Sequence, residues 1–311
     1  MIVNIHAKTD VGLIRQGNED NFLILDLSAG LGCTGSDGGQ IPEALRRVKV
    51  GPKGLVMVVS DGMGGALAGD VASRMAVENV RDMLLGSDSE EATGTKEDAP
   101  LVEYLRNATG YANFAIHRKG LEDARYSGMG ATFTGAAITG HLLDLVQVGD
   151  SRAYIIRGAE IKLATKDQSL VQQLVDVGQI SEQDAETHMF RNVILQALGA
   201  QSELVPVTCR VGLRRNDLVL LCSDGLSGKL RAEDMRRIVA EAKDDLVVAC
   251  DHLVQEANDR GGEDNITVVL ARFTGADLPS PKPSERITVE VPEPEEPDHT
   301  LGGEEDTTEI P

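Results

Sequence analysis

Short runs of apolar residues, each ending in a turn, dominate the hydrophobic pattern of the chain. Residues 55–59 are all apolar and predict a buried strand, and the mostly apolar runs 142–148 and 218–222 predict two more. The alternation over residues 2–8 predicts a half-buried strand, with 21–26 as its hairpin partner. Further strands are expected at 131–139, 152–157 and 266–270.

Apolar residues at helical spacing interrupt this series of strands. One helical face covers residues 71–84, and a second, opened by a proline, covers 101–116. Short helices are expected over 169–177 and after the capping-box sequence at Ser181, and a last core helix at about 244–258. This order of elements favours an α+β fold of stacked antiparallel sheets with helices outside, over a parallel doubly wound sheet.

The chain is expected to divide into a folded domain and a tail. Residues 29–54 are predicted to form a surface loop with a short helical turn, and 167–200 a mobile flap within a domain of residues 1–273. Segment 274–311 holds seven of the eleven prolines, and its eleven acidic residues face two basic ones. Because such a composition buries little apolar surface, a disordered acidic tail is expected there.

Aspartates stand at the ends of four predicted strands. Asp61, Asp150 and Asp224 each follow an apolar run, and Asp264 comes just before the strand at 266–270. A single aspartate in such a place is more often a cap or turn residue, but here the pattern recurs. Neighbouring antiparallel strands share an edge, so the four carboxylates are expected to meet at one rim. Clustered carboxylates repel each other unless cations neutralise them, and oxygen-rich sites suit Mg²⁺, Mn²⁺ or Ca²⁺.

Charge and composition restrict the surroundings in which the protein can act. The formal net charge of −20 opposes binding to nucleic acid or to an anionic membrane. No apolar run approaches the ~18 residues of a membrane span, and the first residues lack the pattern of a signal peptide. The four cysteines form no CxxC pair and are read as reduced thiols. A cytoplasmic protein without a membrane span is therefore expected.

Six short motifs occur in an order and spacing that resemble one enzyme family. They resemble the metal-dependent type 2C Ser/Thr protein phosphatases (the PPM family) in their bacterial form, over residues 3–273. The motifs are Arg15-x-x-Asn18-Glu19-Asp20, Ser60-Asp61-Gly62-Met63-Gly64-Gly65, Gly130-Ala131-Thr132, Gly149-Asp150-Ser151-Arg152, Ser223-Asp224-Gly225 and Gly262-Glu263-Asp264-Asn265. The resemblance implies a central sandwich of two antiparallel sheets flanked by helices on both outer faces (α-β-β-α), with a binuclear metal centre at one rim.

The resemblance also assigns ligands to two Mn²⁺ or Mg²⁺ ions. It implies that Asp61 bridges the two ions and that Asp224 and Asp264 complete one of the sites. The carbonyl of Gly62 would serve the other. The activity implied is hydrolysis of phosphoserine and phosphothreonine in proteins, opposing bacterial-type Ser/Thr kinases.

Four further residues receive supporting roles from the same resemblance. Glu19 and Asp20 would act mostly through metal-bound water, and Arg15 would clamp the phosphate. Asp150 would be a ligand of a third ion, shared with Asp224. The partners expected are phosphorylated proteins, Ser/Thr kinases among them, and the protein is expected to be a monomer.

The sequence departs from the family where imidazoles are expected. Met63, Ala66 and Gln168 stand at positions where members of the family often carry histidine. His188, in the predicted flap, is the nearest candidate for a general acid, although a surface role is the commoner one for such a histidine. A metal-bound water is the alternative source of the proton.

Other interpretations stay open at this point. The chain could keep the fold as a non-catalytic scaffold, or act on small phosphorylated metabolites. Arg152 and Asn265 could be catalytic, but an ion pair and a turn are their more frequent roles. Cys222 is read as a core thiol and not as a nucleophile, because no phosphate-binding arginine loop follows it.

Overall fold

The structure, a computed structural model, describes residues 1–38, 40–64, 68–86 and 99–291, without the side chain of Glu186. The strands there are β1 Ile2–Asp10, β2 Asp20–Asp26, β3 Leu31–Thr34, β4 Arg47–Lys49, β5 Leu55–Met63, β6 Gly130–Ala131, β7 Phe133–Thr139, β8 Leu142–Val148, β9 Arg152–Arg157, β10 Glu160–Leu163, β11 Val207–Gly212, β12 Leu218–Cys222, β13 Ile266–Thr274 and β14 Val289–Glu290. The α-helices are α1 Glu43–Arg46, α2 Ala68–Leu85, α3 Leu101–Glu122, α4 Leu170–Asp176, α5 Glu182–Thr187, α6 Asp224–Ser227, α7 Ala232–Glu241 and α8 Leu246–Asp259. None of these helices combines the length and the apolar character that a membrane crossing needs.

The strands form two antiparallel sheets that face each other. One sheet has the order β10-β9-β12-β13-β1-β4, and the other has the order β14-β11-β8-β7-β5-β2-β3, with β6 attached to β5. A large apolar cluster fills the space between them, with members such as Phe22, Met57 and Phe273. The sheets therefore form the sandwich that the sequence predicted.

Helices cover both outer faces of the sandwich. Helices α2 and α3 pack on the outer face of the second sheet, where Val80 and Leu105 are fully buried. Helices α7 and α8 cover the first sheet through residues such as Met235 and Leu253. Strands such as β5 are buried on both faces by this arrangement, which explains why they read as uninterrupted apolar runs. The order of layers is α-β-β-α, as expected.

The predicted hairpin of β1 and β2 is wrong. Strand β1 pairs with β13 and with β4, whereas β2 pairs with β3 and β5 in the other sheet. The turn between β1 and β2 crosses from one sheet to the other. Residues 29–54 also contain more structure than the predicted loop and helical turn, because β3 and β4 lie within them.

The prediction of a tail disordered from residue 274 is wrong for residues 274–291. Thr274 still belongs to β13, and β14 pairs with β11 at the edge of the second sheet. Leu278 and Ile287 are 1% and 2% exposed and belong to the core between the sheets. Glu285 forms an ion pair with Arg214. Residues 275–291 thus form a strap along the sandwich, and the rest of the predicted tail, 292–311, lies outside the described residues.

Candidate metal centre

Asp61 stands at the rim because it lies two residues before the end of β5, directly opposite the start of β2. In the ladder between these strands, Asp61 is the register partner of Asp20. Thr132 secures the backbone at this point. The amide of Asp61 donates to Thr132 Oγ1 at 2.9 Å, and the amide of Thr132 donates to the carbonyl of Asp61 at 2.8 Å. These two hydrogen bonds fix the backbone of Asp61 and therefore the position from which its side chain extends.

Asp20 is buried and is held by neutral donors. Its Oδ2 accepts a hydrogen bond of 2.7 Å from Ser223 Oγ, and that hydroxyl accepts one of 2.9 Å from the amide of Thr267. Ser223 immediately precedes Asp224 at the start of α6, so one short segment fixes Asp20 and presents Asp224. Asp224 lies within hydrogen-bonding reach of Asp61.

Glycine is required where the backbone passes Glu19. The amide of Gly62 donates to the carbonyl of Glu19 at 3.1 Å. A Cβ on Gly62 would lie 2.1 Å from the carbonyl oxygen of Gly69 and 2.7 Å from that of Glu19. A side chain at position 62 would therefore separate β5 from the start of α2 and from the β1–β2 turn.

Arg15 and Asp264 meet at the same rim. Arg15 Nη2 lies 2.9 Å from Asp264 Oδ2, and both side chains are partly exposed. Asn265 holds the turn that carries Arg15: its Oδ1 accepts from the amide of Glu19, and its Nδ2 donates to the carbonyls of Val11 and Gly17. The turn role expected for Asn265 is confirmed.

Arg152 is engaged in an ion pair, as expected. It makes a bidentate contact with Asp167, with Nη2 2.7 Å from Oδ2, and its Nη1 lies 3.2 Å from the hydroxyl of Tyr154. Cys222 is fully buried, and burial raises the pKa of its thiol to about 12. The expected roles of an ion-paired arginine and of a core thiol are thus the ones that the structure shows.

The acidic side chains strongly perturb one another. Burial, followed by the negative charges of Asp224 and Asp264, raises the pKa of Asp20 to about 7. Burial and the charges of Asp224 and Asp167 raise the pKa of Asp150 to about 7. Burial, followed by the charges of the neighbouring carboxylates, raises the pKa of Asp61 well above its usual value, and burial with the charge of Asp264 raises that of Asp224. The charges of these carboxylates thus act on one another, which places Asp20, Asp61, Asp150 and Asp224 in one region of the rim.

The donor atoms fit divalent cations that prefer oxygen ligands. Among the described residues, Oδ1 of Asp20, Oδ1 of Asp150 and Oδ1 of Asp224 are buried and have no hydrogen-bond partner. Buried carboxylate oxygens without a donor are costly, and a bound cation satisfies them. As the side chains stand in the described ranges, no three acidic, histidine or cysteine groups form a closed ligand set. Asp264 instead pairs with Arg15.

No contact links a histidine to these carboxylates in the described part of the chain. His188 Nδ1 accepts a hydrogen bond from the amide of Phe190, and the two rings pack with their centroids 5.6 Å apart. Met63 belongs to β5, and Gln168 bonds to the backbone of Gly149. Ala66 lies outside the described residues. His188 thus has the surface role that is commoner for such a residue.

Neutral residues hold the acidic ones in place. Thr132 and Ser223 stand in the quoted motifs without an assigned role, and Gln147 stands in none of them. Ser223, Thr132 and Gln147 are 0–2% exposed and bond to the segments that carry Asp20, Asp61 and Asp150. A usable signal was present, because Gln147 is a polar residue within a largely apolar strand. A buried amide there needs partners, and the adjacent turn supplies them.

Comparison with known proteins identifies the family. A family model for protein phosphatase 2C matches residues 44–261, a stretch that includes Asp61, Gly62, Asp150 and Asp224. The chain belongs to the protein phosphatase 2C family. The resemblance seen in the motifs is confirmed, and with it the class of enzyme, a metal-dependent phosphatase.

Named relatives span most of the chain. It is 34% identical over 268 residues to serine/threonine phosphatase stp of Listeria monocytogenes, covering 86% of this chain and 95% of that protein. It is 31% identical over 283 residues to serine/threonine protein phosphatase PstP of Mycobacterium tuberculosis, covering 91% of this chain and 47% of that protein.

Solved structures confirm the fold. Staphylococcus aureus Stp1 matches with a TM-score of 0.73 and 29% identity, covering 88% of this chain and 96% of that chain. Mycobacterium tuberculosis PstP/Ppp matches with a TM-score of 0.70 and 30% identity, covering 88% and 100%. The catalytic domain of PstP in complex with two manganese ions matches with a TM-score of 0.67 and 30% identity, covering 88% and 99%.

Proposed function

We propose that this chain is a protein phosphatase that removes phosphate from phosphoserine and phosphothreonine with the help of two Mn²⁺ or Mg²⁺ ions. The observation that carries the proposal is the rim of acidic residues, where buried carboxylate oxygens of three aspartates have no hydrogen-bond partner in the described residues. Family membership and the manganese-bound PstP structure, at 30% identity, support the choice of metal and substrate.

The proposed ligands are those that the motifs indicated. Asp61 would hold both ions, and Asp224 and Asp264 would complete one site. The carbonyl of Gly62 would contribute to the other site. The closeness of Asp61 to Asp224 supports this assignment, because two neighbouring carboxylates can be ligands of the same ion.

Supporting ligands surround this centre in the proposal. Glu19 and Asp20 would act through ordered water, and Asp150 would hold a third ion together with Asp224. Burial, followed by the charge of Asp224, raises the pKa of Asp150, so these two carboxylates lie close enough for their charges to interact.

The chain's own residues position the substrate. The ions, when bound, supply neutralisation of the phosphate charge and a nucleophilic water at neutral pH. Arg15 exchanges its partner Asp264 for two phosphate oxygens, which a guanidinium can bind in a bidentate manner. The same exchange frees Asp264 to act as a ligand. Thr132 and Ser223 keep the carboxylates in place during turnover, because each is bonded to the backbone or the side chain of a proposed ligand.

We further propose a cytoplasmic monomer that acts on proteins phosphorylated by Ser/Thr kinases, and on the kinases themselves. The net charge of −20 supports a partner that is neither nucleic acid nor an anionic membrane. The kinship with bacterial phosphatases supports the choice of phosphoproteins as substrates.

The test is Mn²⁺-dependent hydrolysis of p-nitrophenyl phosphate and of a phosphothreonine peptide by the wild type and by Asp61→Asn. We expect activity on both substrates, and its loss in Asp61→Asn. The control is Asp82→Asn, an exposed carboxylate on the outer helix α2, which should behave as the wild type. A wild type inactive on both substrates would favour the scaffold, and activity confined to small phosphorylated metabolites would favour a metabolic enzyme.

A further inference from the structure

We propose that Gln147 and Gln168 are positioning residues that fix the turn carrying Asp150 and attach that turn to the base of the flap. We call these two side chains the glutamine clamp. The inference rests on the proposed function, in which Asp150 is a metal ligand. It adds two residues of this chain that hold the ligand without touching an ion.

The turn that carries Asp150 needs external support. It lies between the end of β8 and the start of β9, so the strand ladders do not hold it. Gly149 has φ +93°, and a Cβ there would lie 2.8 Å from Thr132 Cγ2, so the turn depends on glycine. Oδ1 of Asp150 is buried without a hydrogen-bond partner in the described residues. The orientation of the Asp150 side chain is therefore set by the backbone of the turn.

Gln168 forms hydrogen bonds to the turn through both its side chain and its backbone. Its Oε1 accepts a hydrogen bond of 2.7 Å from the amide of Gly149. Its own amide donates to the carbonyl of Gly149 at 2.9 Å. Gln168 thus satisfies both backbone groups of Gly149, the residue directly before Asp150.

Gln147 also forms hydrogen bonds to the turn. It is 2% exposed, and its Nε2 lies 3.3 Å from the carbonyl of Gly149 and 3.3 Å from that of Ser151. Its Oε1 accepts a hydrogen bond of 3.0 Å from the amide of Lys166. This one amide therefore joins both ends of the turn to the segment that enters the flap.

The clamp extends into the flap through backbone pairing. The amide of Leu195, on the returning segment of the flap, donates to the carbonyl of Gln168 at 2.8 Å, and the amide of Leu170 donates to the carbonyl of Val193 at 2.8 Å. Farther along, Leu198 exchanges two backbone hydrogen bonds with Ala131, next to Thr132. The base of the flap is thus attached to the segments that position Asp150 and Asp61.

A side chain with a hydrogen-bond acceptor is what this place requires. An apolar residue at 168 would leave the amide of Gly149 without an acceptor, and an unmade bond to a buried donor is destabilising. Residues that hold a metal ligand in place commonly influence metal affinity by about 10–100-fold. Loss of the clamp should therefore weaken the ion at Asp150 and leave the ions at Asp61 in place.

The experiment compares Gln168→Met, which keeps the length but removes the acceptor, with Gln168→Glu, which keeps an acceptor oxygen. The control is Gln173→Met, an exposed position on the flap helix α4. The first readout is hydrogen exchange at the amide of Gly149 in the metal-free protein. We expect exchange at least about tenfold faster in Gln168→Met, protection restored in Gln168→Glu, and no change in Gln173→Met.

The second readout is calorimetric titration with Mn²⁺, beside Asp150→Asn. Gln168→Met should weaken the weakest class of Mn²⁺ sites by about 10–100-fold, in the same direction as Asp150→Asn. The proposed clamp would be overturned if Gln168→Met and Gln173→Met showed the same exchange rate at the amide of Gly149 and the same Mn²⁺ affinity. If Asp150→Asn leaves the titration unchanged, the assignment of Asp150 as a ligand is overturned, and the exchange experiment still decides on the clamp.

Discussion

Removal of divalent ions should make the stability of this protein fall as pH rises from 5 to 8. The reason lies in Asp20 and Asp150, whose pKa values burial, followed by neighbouring negative charges, raises from 3.8 to about 7. A carboxyl group with a raised pKa in the folded state stabilises the fold while it is protonated. That contribution is fully present below the pKa of the unfolded state and is lost as pH rises through about 7.

The size of the effect follows from the two shifts. One pKa unit corresponds to about 1.4 kcal/mol, so the interval from pH 5 to the pKa of about 7 corresponds to roughly 3 kcal/mol for each carboxyl group. The carboxylates of the cluster titrate together, so these values are upper figures and do not simply add. At 2–4 °C per kcal/mol for a domain of this size, we expect the melting temperature to fall by about 5–15 °C.

The assay is thermal unfolding in a chelator at several pH values between 5 and 8, repeated with excess Mn²⁺. The metal-loaded protein should lose this decline, because ions that bind the native state stabilise it and favour the ionised ligands. Asp20→Asn should reduce the decline in the metal-free protein, since Ser223 can still donate to the amide oxygen. A melting temperature that is flat or rises with pH under chelation would refute the reasoning about uncompensated carboxylates.

Three further predictions concern the contact of Arg15 with phosphate, the strap and the general acid. Arg15→Ala should weaken phosphate binding by about 2–4 kcal/mol while Mn²⁺ still binds; loss of Mn²⁺ affinity instead would make Arg15 structural. Truncation after residue 291 should leave the melting temperature unchanged, whereas truncation after 273 should lower stability by roughly 3 kcal/mol or more, because Leu278 and Ile287 leave the core; equal melting temperatures would contradict this. The rate on p-nitrophenyl phosphate should rise with pH to a plateau, without an acid limb near 6.5, and His188→Ala should leave phosphopeptide hydrolysis unchanged; a selective loss would assign the proton to His188.

The elements that could be predicted are those whose environment is uniform along the chain. Strand β5 is buried on both faces, so residues 55–59 read as one apolar run, and the aspartate that follows this run could be placed at a rim. The pairing of β1 could not be foreseen, since its partner β13 lies at the far end of the domain. Local alternation indicates that a strand exists but not which strand it joins.

The strap of residues 275–291 could not be predicted, because the composition of a segment averages over all its residues and hides a few buried apolar ones. Prolines and acids dominate residues 274–311, yet Leu278 and Ile287 suffice to anchor the first part of it between the sheets. The neutral residues at the rim were missed for a related reason. Ser223 acquires its role only when the turn that carries Asp20, distant in sequence, comes next to it.

Buried aspartates elsewhere in the same fold show why the rim is adapted to cations. Asp217 is 0% exposed and is matched by Arg157, whose Nη2 lies 2.7 Å from its Oδ2. Arginines likewise match the carboxylates of Asp144 and Asp167. At the rim, by contrast, Asp20, Asp150 and Asp224 each keep a buried oxygen without a partner among the described residues. Arginine thus matches Asp217, Asp144 and Asp167, whereas these three rim aspartates keep an oxygen without a donor. The rim is therefore arranged for positive charge that comes from outside the chain, which is the role that divalent ions fill in the proposed phosphatase.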